Sequence, residues 1–213
     1  MKSTRALSRV AGILYLIVAV GGGFAEYVRT TVTVSGDSAA TAANVASHAA
    51  LFKAAFVTDL VDFAAFLGVG LLMYAILKSV NSTIAVAMLV INAVSVAIQA
   101  LNMLGHAGAL LTTDPRLVLL FLQLHQQGYL IAQVYFGLFL LPLGYLVYRS
   151  GIFPKVLGAI LMFGSAGYVT GVVAAYVSPS LAIYLALAGG LAELLFLLWL
   201  LVMGAKPRAG ALA

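Results

Sequence analysis

Residues 82–111 read STIAVAMLVINAVSVAIQALNMLGHAGALL, without one Asp, Glu, Lys or Arg. As a helix this stretch would rise about 45 Å, more than the roughly 30 Å hydrocarbon core of a bilayer requires. Its polar residues fall on one line. Asn92, Ser95, Gln99, Asn102 and His106 are spaced 3, 4, 3 and 4, which places them on a single stripe of an α-helix. The stretch therefore reads as a membrane helix with one polar face.

The rest of the chain agrees. Of its 213 residues, 64% are hydrophobic and 8% are charged, against about 25% charged in soluble domains. So few charges cannot cover a soluble surface, which excludes a soluble enzyme and a disordered chain. With no cysteine, disulfides, thiolate metal sites and cysteine nucleophiles are excluded. The fold class is all-α, a polytopic membrane protein built as a six-transmembrane-helix bundle in one domain over 1–213. The expected spans are 8–28, 48–77, 82–111, 115–148, 154–177 and 180–203, with a polar outer loop over 29–47 and a short tail over 204–213. Within that loop, Asp37 or Ser38 could cap a short surface helix. Pro115, Pro154 and Pro179 sit at helix starts, where a missing N–H matters little. Pro142 lies inside the fourth span and predicts a kink.

Basic residues choose the orientation. With both termini cytoplasmic, the inner side holds Lys2, Arg5, Arg9, Lys78, Arg149, Lys155, Lys206 and Arg208, and the outer side only Arg29, Lys53 and Arg116. This follows the positive-inside rule. The net charge of +5 is thus topological and requires no nucleic-acid partner. The basic N-terminus before an apolar run is signal-like, but the run is span-length and reads as a retained first helix.

Three segments, GILYLIVAVGGGFAEYVR (12–29), SGDSAATAANVASHAALFK (35–53) and GYLVYRSGIFPKVLGAIL (144–161), resemble the bacterial membrane family called domain of unknown function 4386. The resemblance implies six helices in a bacterial cytoplasmic membrane. It carries no catalytic or binding residues with it, so function must be argued from the polar residues.

Their heights are informative. Counted from the inner end of each span, Asp62 lies about 24 Å up, Asp59 about 28 Å, Glu26 about 25 Å, Gln99 about 26 Å and Gln133 about 24 Å. Glu193 lies lower, at about 20 Å, and His106 and His125 higher, at about 36 Å. The inner half is almost purely apolar. Polar groups in lipid must face the bundle interior or water, so the pattern predicts an outward-facing crater. Its lining would be Glu26, Asp59, Asp62, Gln99, Asn102, His106, His125, Gln126, Gln133 and Glu193, with Glu193 as the floor.

Three functions fit such a crater. Intramembrane acids with no basic partner at their depth favour a small cationic or polar ligand, bound or translocated. Alternatively, Asp59, Asp62 or Glu26 could act as general base in an intramembrane hydrolase. His106, His125, Asp59 and Asp62 are then candidate metal ligands, although no HExxH, HxxxH or ExxH pair is present. Otherwise the polar groups are hydrogen-bond glue in a structural or regulatory membrane protein. The predicted surroundings are membrane lipids. The sequence specifies neither a cofactor nor an oligomeric state.

Overall fold

The computed structural model describes residues 4–206. Lys2, Arg208 and the last seven residues of the expected tail lie outside the described residues. The chain forms seven helices: α1 (Thr4–Val32), α2 (Ser38–Ser47), α3 (Ala49–Leu77), α4 (Ser82–Leu111), α5 (Pro115–Arg149), α6 (Lys155–Ala175) and α7 (Pro179–Val202). All except α2 are long and apolar enough to cross a membrane. There is no strand among the described residues. The architecture is a six-helix membrane bundle with one short extra helix.

Local chemistry sets the helix ends. Asp37 caps α2, its carboxylate accepting from the Ala40 amide at 2.9 Å. Asn81 caps α4 through the Ile84 amide, and Asp114 caps α5 through the Arg116 amide. Pro115 and Pro179 occupy the first turns of α5 and α7. α1 reaches several residues beyond the expected span at both ends, because Arg5, Ser8 and Arg29 find partners that keep their turns helical. α5 runs continuously through Pro142.

The end of the bundle that carries Arg5 and Lys206, termed inner after the expected topology, is closed by polar clamps. Arg5 Nε donates to the Met203 carbonyl and Arg9 Nη2 to the Val202 carbonyl, both at 3.2 Å. These cations satisfy the last carbonyls of α7 and complement its negative end. Ser8 Oγ accepts from the Ala205 amide at 2.8 Å. The Lys206 amide donates to the Ile152 carbonyl in the α5–α6 turn. Arg5, Arg9, Lys155 and Lys206 therefore gather at one end of the bundle.

Two apolar clusters hold the helices together. The inner one is large and includes Phe66, Met73, Met88, Phe139, Leu143, Leu161, Phe196 and Leu200. The outer one is small and joins α1, α2, α3, α4 and α5 through Val28, Val45, Phe52, Ala109 and Val118. Neither α6 nor α7 contributes to it. These are also short, with 21 and 24 residues against 35 in α5. The bundle is consequently sealed below and hollow above, on the α6–α7 side. Helices α5 and α6 cross in close contact, since a Cβ on Gly158 would lie 2.5 Å from the Gly144 carbonyl oxygen.

Candidate functional site: a polar crater with an aromatic chamber

Three cavities that share lining residues lie among the helices. The outermost, about 310 Å³, is a vestibule walled by Arg29, Thr33, Gln123, His125, Gln126 and Tyr129. Below it lies a chamber of about 130 Å³. Glu26, Arg29 and Tyr129 line both spaces, so they form the neck. A third cavity, about 230 Å³, lies between α1 and α7 and shares Val18, Gly22, Tyr129, Tyr168 and Glu193 with the chamber.

Arg29 corrects the sequence reading. The acids were expected to lack a basic partner at their depth, with Arg29 and Lys53 near the outer rim able to neutralise part of the pocket. Instead α1 stays helical to Val32, and the Arg29 side chain turns inward and is buried. Its Nη1 lies 2.5 Å from Asp59 Oδ2, and its Nε lies 3.2 Å from Glu26 Oε2. A long side chain can place its charge several ångströms from its own Cα, so counting residues misjudged the depth of the guanidinium.

Asp62 is the opposite case. It is 4% exposed, and neither carboxylate oxygen has a hydrogen-bond partner among the described residues. It packs against α1 at Gly21, where even a Cβ would collide with the carboxylate. Glycine is therefore required for this acid to sit between α1 and α3. Buried polar groups are nearly always paired, and this carboxylate is an exception on a residue that also lines the chamber.

Glu193 forms the floor. Tyr15 Oη donates to Glu193 Oε1, and Tyr168 Oη donates to Oε2 at 2.6 Å. Three helices thus meet on one carboxylate. The chamber wall between Glu193 and Asp62 is aromatic: Phe63, Phe66, Tyr129, Phe136 and Tyr168 all line it. Phe136 is the hub, with ring centroids 5.9 Å from Phe66, 5.9 Å from Tyr129 and 6.2 Å from Tyr168. Sequence reasoning passed over Phe63, Phe66, Phe136 and Tyr168, because single aromatic residues on apolar helices look like core.

The remaining polar residues divide. Gln99 lines the chamber, and His125 and Gln126 line the vestibule. Asn92, Asn102, His106 and Gln133 line none of the three cavities. Each bonds a backbone carbonyl of a neighbouring helix: Asn92 that of Phe66, Asn102 that of His125, His106 that of Phe52, and Gln133 that of Tyr168. Four such bonds tie adjacent spans, which is the glue role of polar side chains in membranes. His106 also stacks on Phe52 at 3.9 Å. The rings of His106 and His125 are 6.0 Å apart, each with a nitrogen committed to a backbone carbonyl. Among the described residues, no three His, Asp or Glu side chains gather as a metal site.

Fold and crater together define an integral membrane protein of six spanning helices with a polar chamber in one half of the bundle. The chain belongs to the family described as Domain of unknown function (DUF4386), whose model matches residues 10–204. It is also similar to an uncharacterized protein of Archaeoglobus fulgidus, 34% identical over 76 residues, which is 36% of this chain and 46% of that one. The chain thus spans under half the length of that curated relative. No solved structure matches it.

Proposed function

We propose that the protein binds a small cationic ligand in this crater, entering from the outer face of a bacterial cytoplasmic membrane. The observation that carries the reading is Asp62, a buried carboxylate without a partner on the chamber wall. Charge balance supports it. Glu26, Asp59, Asp62 and Glu193 are four carboxylates against the single guanidinium of Arg29, a formal excess of three negative charges. A cation in the chamber relieves that excess. A hydrolase needs a base, an activated nucleophile and an electrophilic centre in mutual reach. His125 and Asp59, the nearest candidates for that role, are already committed to the Asn102 carbonyl and to Arg29. The packed inner cluster stands between the chamber and the inner face, so translocation would require that cluster to open.

The test is cation binding to the purified protein in lipid nanodiscs. Sodium, methylammonium, guanidinium and tetramethylammonium are titrated by calorimetry, each against a neutral compound of similar size. Saturable binding of at least one cation, lost in Asp62→Asn with helicity retained, is the expected result. Equal responses to cations and neutral controls, or full binding by Asp62→Asn, would overturn the reading.

A further inference from the structure

Resting on that reading, we propose that the cationic group of the ligand is a guanidinium. It lies in the aromatic chamber, donates its N–H groups to Glu193 and Gln99, and sets its flat face against the rings around Phe136.

The hydrogen-bond balance of the chamber calls for a donor. Glu193 accepts from Tyr15 on one oxygen and from Tyr168 on the other. An ionised carboxylate has about four lone-pair sites, so each oxygen can accept once more. Gln99 commits its Nε2 to the carbonyl and the hydroxyl of Ser95, both at 3.3 Å, which leaves its Oε1 to accept. The Tyr168 hydroxyl is already spent on Glu193, and Arg29 Nε and Nη1 on Glu26 and Asp59. A quaternary ammonium brings no N–H and leaves these acceptors unmet. A metal ion needs several ligands, and no three His, Asp or Glu side chains gather for one among the described residues. Asp62 makes no contact in this scheme, because its oxygens are closed in against Gly21; it adds negative charge to the wall. The neck already shows the pairing, since the buried guanidinium of Arg29 joins Glu26 and Asp59. Glu193 has no such cation among the described residues.

Shape and hydration choose guanidinium over an ammonium. An ammonium is a compact, strongly hydrated point charge. A guanidinium is planar and more weakly hydrated, and it stacks on aromatic faces while its N–H groups donate in the plane. The chamber offers rings and acceptors together: Phe66, Tyr129, Phe136 and Tyr168 line it with Gln99 and Glu193. Phe66, Tyr129 and Tyr168 meet Phe136 at 81°, 64° and 56°. No ring is therefore stacked flat on Phe136, and a flat cation need not displace one. The size also fits. The chamber holds about 130 Å³, about four times the roughly 30 Å³ that a water molecule takes up in the liquid. Guanidinium has one carbon and three nitrogens, so it fills that space.

Guanidinium, methylammonium, tetramethylammonium and sodium, all as chlorides, are titrated by calorimetry into nanodisc-embedded protein, with empty nanodiscs subtracted. Urea, planar and of the same size but neutral, is the control for charge. Guanidinium is expected to bind at least tenfold more tightly than each of the others. Gln99→Leu should weaken guanidinium at least fivefold, and Phe136→Leu should bring it level with methylammonium. The Gln99 amide bonds only within its own helix, so its loss unties no neighbouring helix; unchanged helicity and elution profile establish that both variants are folded. Methylammonium, tetramethylammonium or sodium binding as tightly as guanidinium overturns the guanidinium and leaves the cation reading standing. Guanidinium binding unchanged in both folded variants overturns its place in the chamber. Urea binding as tightly as guanidinium, or no saturable binding of any cation, overturns both readings.

Discussion

Replacing Arg29 by methionine tests the electrostatics of the neck directly. The guanidinium is buried between Asp59, also buried, and Glu26, whose side chain is 60% exposed. With charge centres about 4 Å apart and an effective dielectric constant near 20, the Arg29–Asp59 attraction is about 4 kcal/mol. Removing one partner of a buried pair leaves the other uncompensated and costs about 3–5 kcal/mol. The exposed Glu26 contact adds under about 1 kcal/mol. Arg29→Met should therefore destabilise the protein by about 3–5 kcal/mol. Methionine keeps most of the apolar stem, so little of this loss comes from packing. The double variant Arg29→Met/Asp59→Leu removes both charges and should regain most of the loss, since apolar replacements of whole buried pairs are often neutral. Equilibrium unfolding in mixed micelles, followed by circular dichroism, measures all three proteins. A loss below about 1 kcal/mol in the single variant, or a double variant as unstable as the single one, would refute this account of Arg29.

Three further outcomes follow from the same structure. Glu193→Leu should cost about 3 kcal/mol or more, because the Tyr15 and Tyr168 hydroxyls each lose a charged acceptor, whereas Glu193→Gln keeps an acceptor and should cost less than half as much by the same unfolding assay. Gly158→Val should destabilise by about 1–3 kcal/mol or more, since its Cβ meets the Gly144 carbonyl and the Tyr148 amide, both 2.5 Å away; unfolding curves indistinguishable from the parent would deny the close α5–α6 crossing. A periplasm-active reporter fused after Ala213 should be silent while a cytoplasm-active one should work, as the basic asymmetry demands; the reverse pattern would invert the topology.

The membrane fold was legible because lipid imposes a coarse constraint. A span must be long, apolar and internally hydrogen-bonded, and residues 82–111 announce this without any partner. Helix ends were legible where a capping side chain or a proline is local, as at Asp37 and Pro115. The extension of α1 to Val32 was not, because its last turns depend on Arg29 reaching Asp59 on another helix. That contact is tertiary, and periodicity within one segment carries no trace of it.

The polar stripe of α4 shows where depth arithmetic stops. Five polar residues on one face looked like a wetted wall, yet only Gln99 reaches the chamber. Asn92, Asn102 and His106 instead bond carbonyls on α3 and α5. Periodicity fixes which face a residue occupies, but not whether a neighbouring helix or a cavity lies opposite. That depends on how closely helices approach, and here small residues decide it. Gly70 leaves room for the Asn92 side chain and Gly128 for that of Asn102, so these amides lie against neighbouring backbone and no water layer fits. Around Asp62 the same device works the other way. Gly21 admits the carboxylate between α1 and α3 but offers it no donor. A helix interface that makes space for an acid and then leaves it unpaired is costly for folding alone. On that ground the proposed ligand is placed beside Asp62 and not along the α4 stripe.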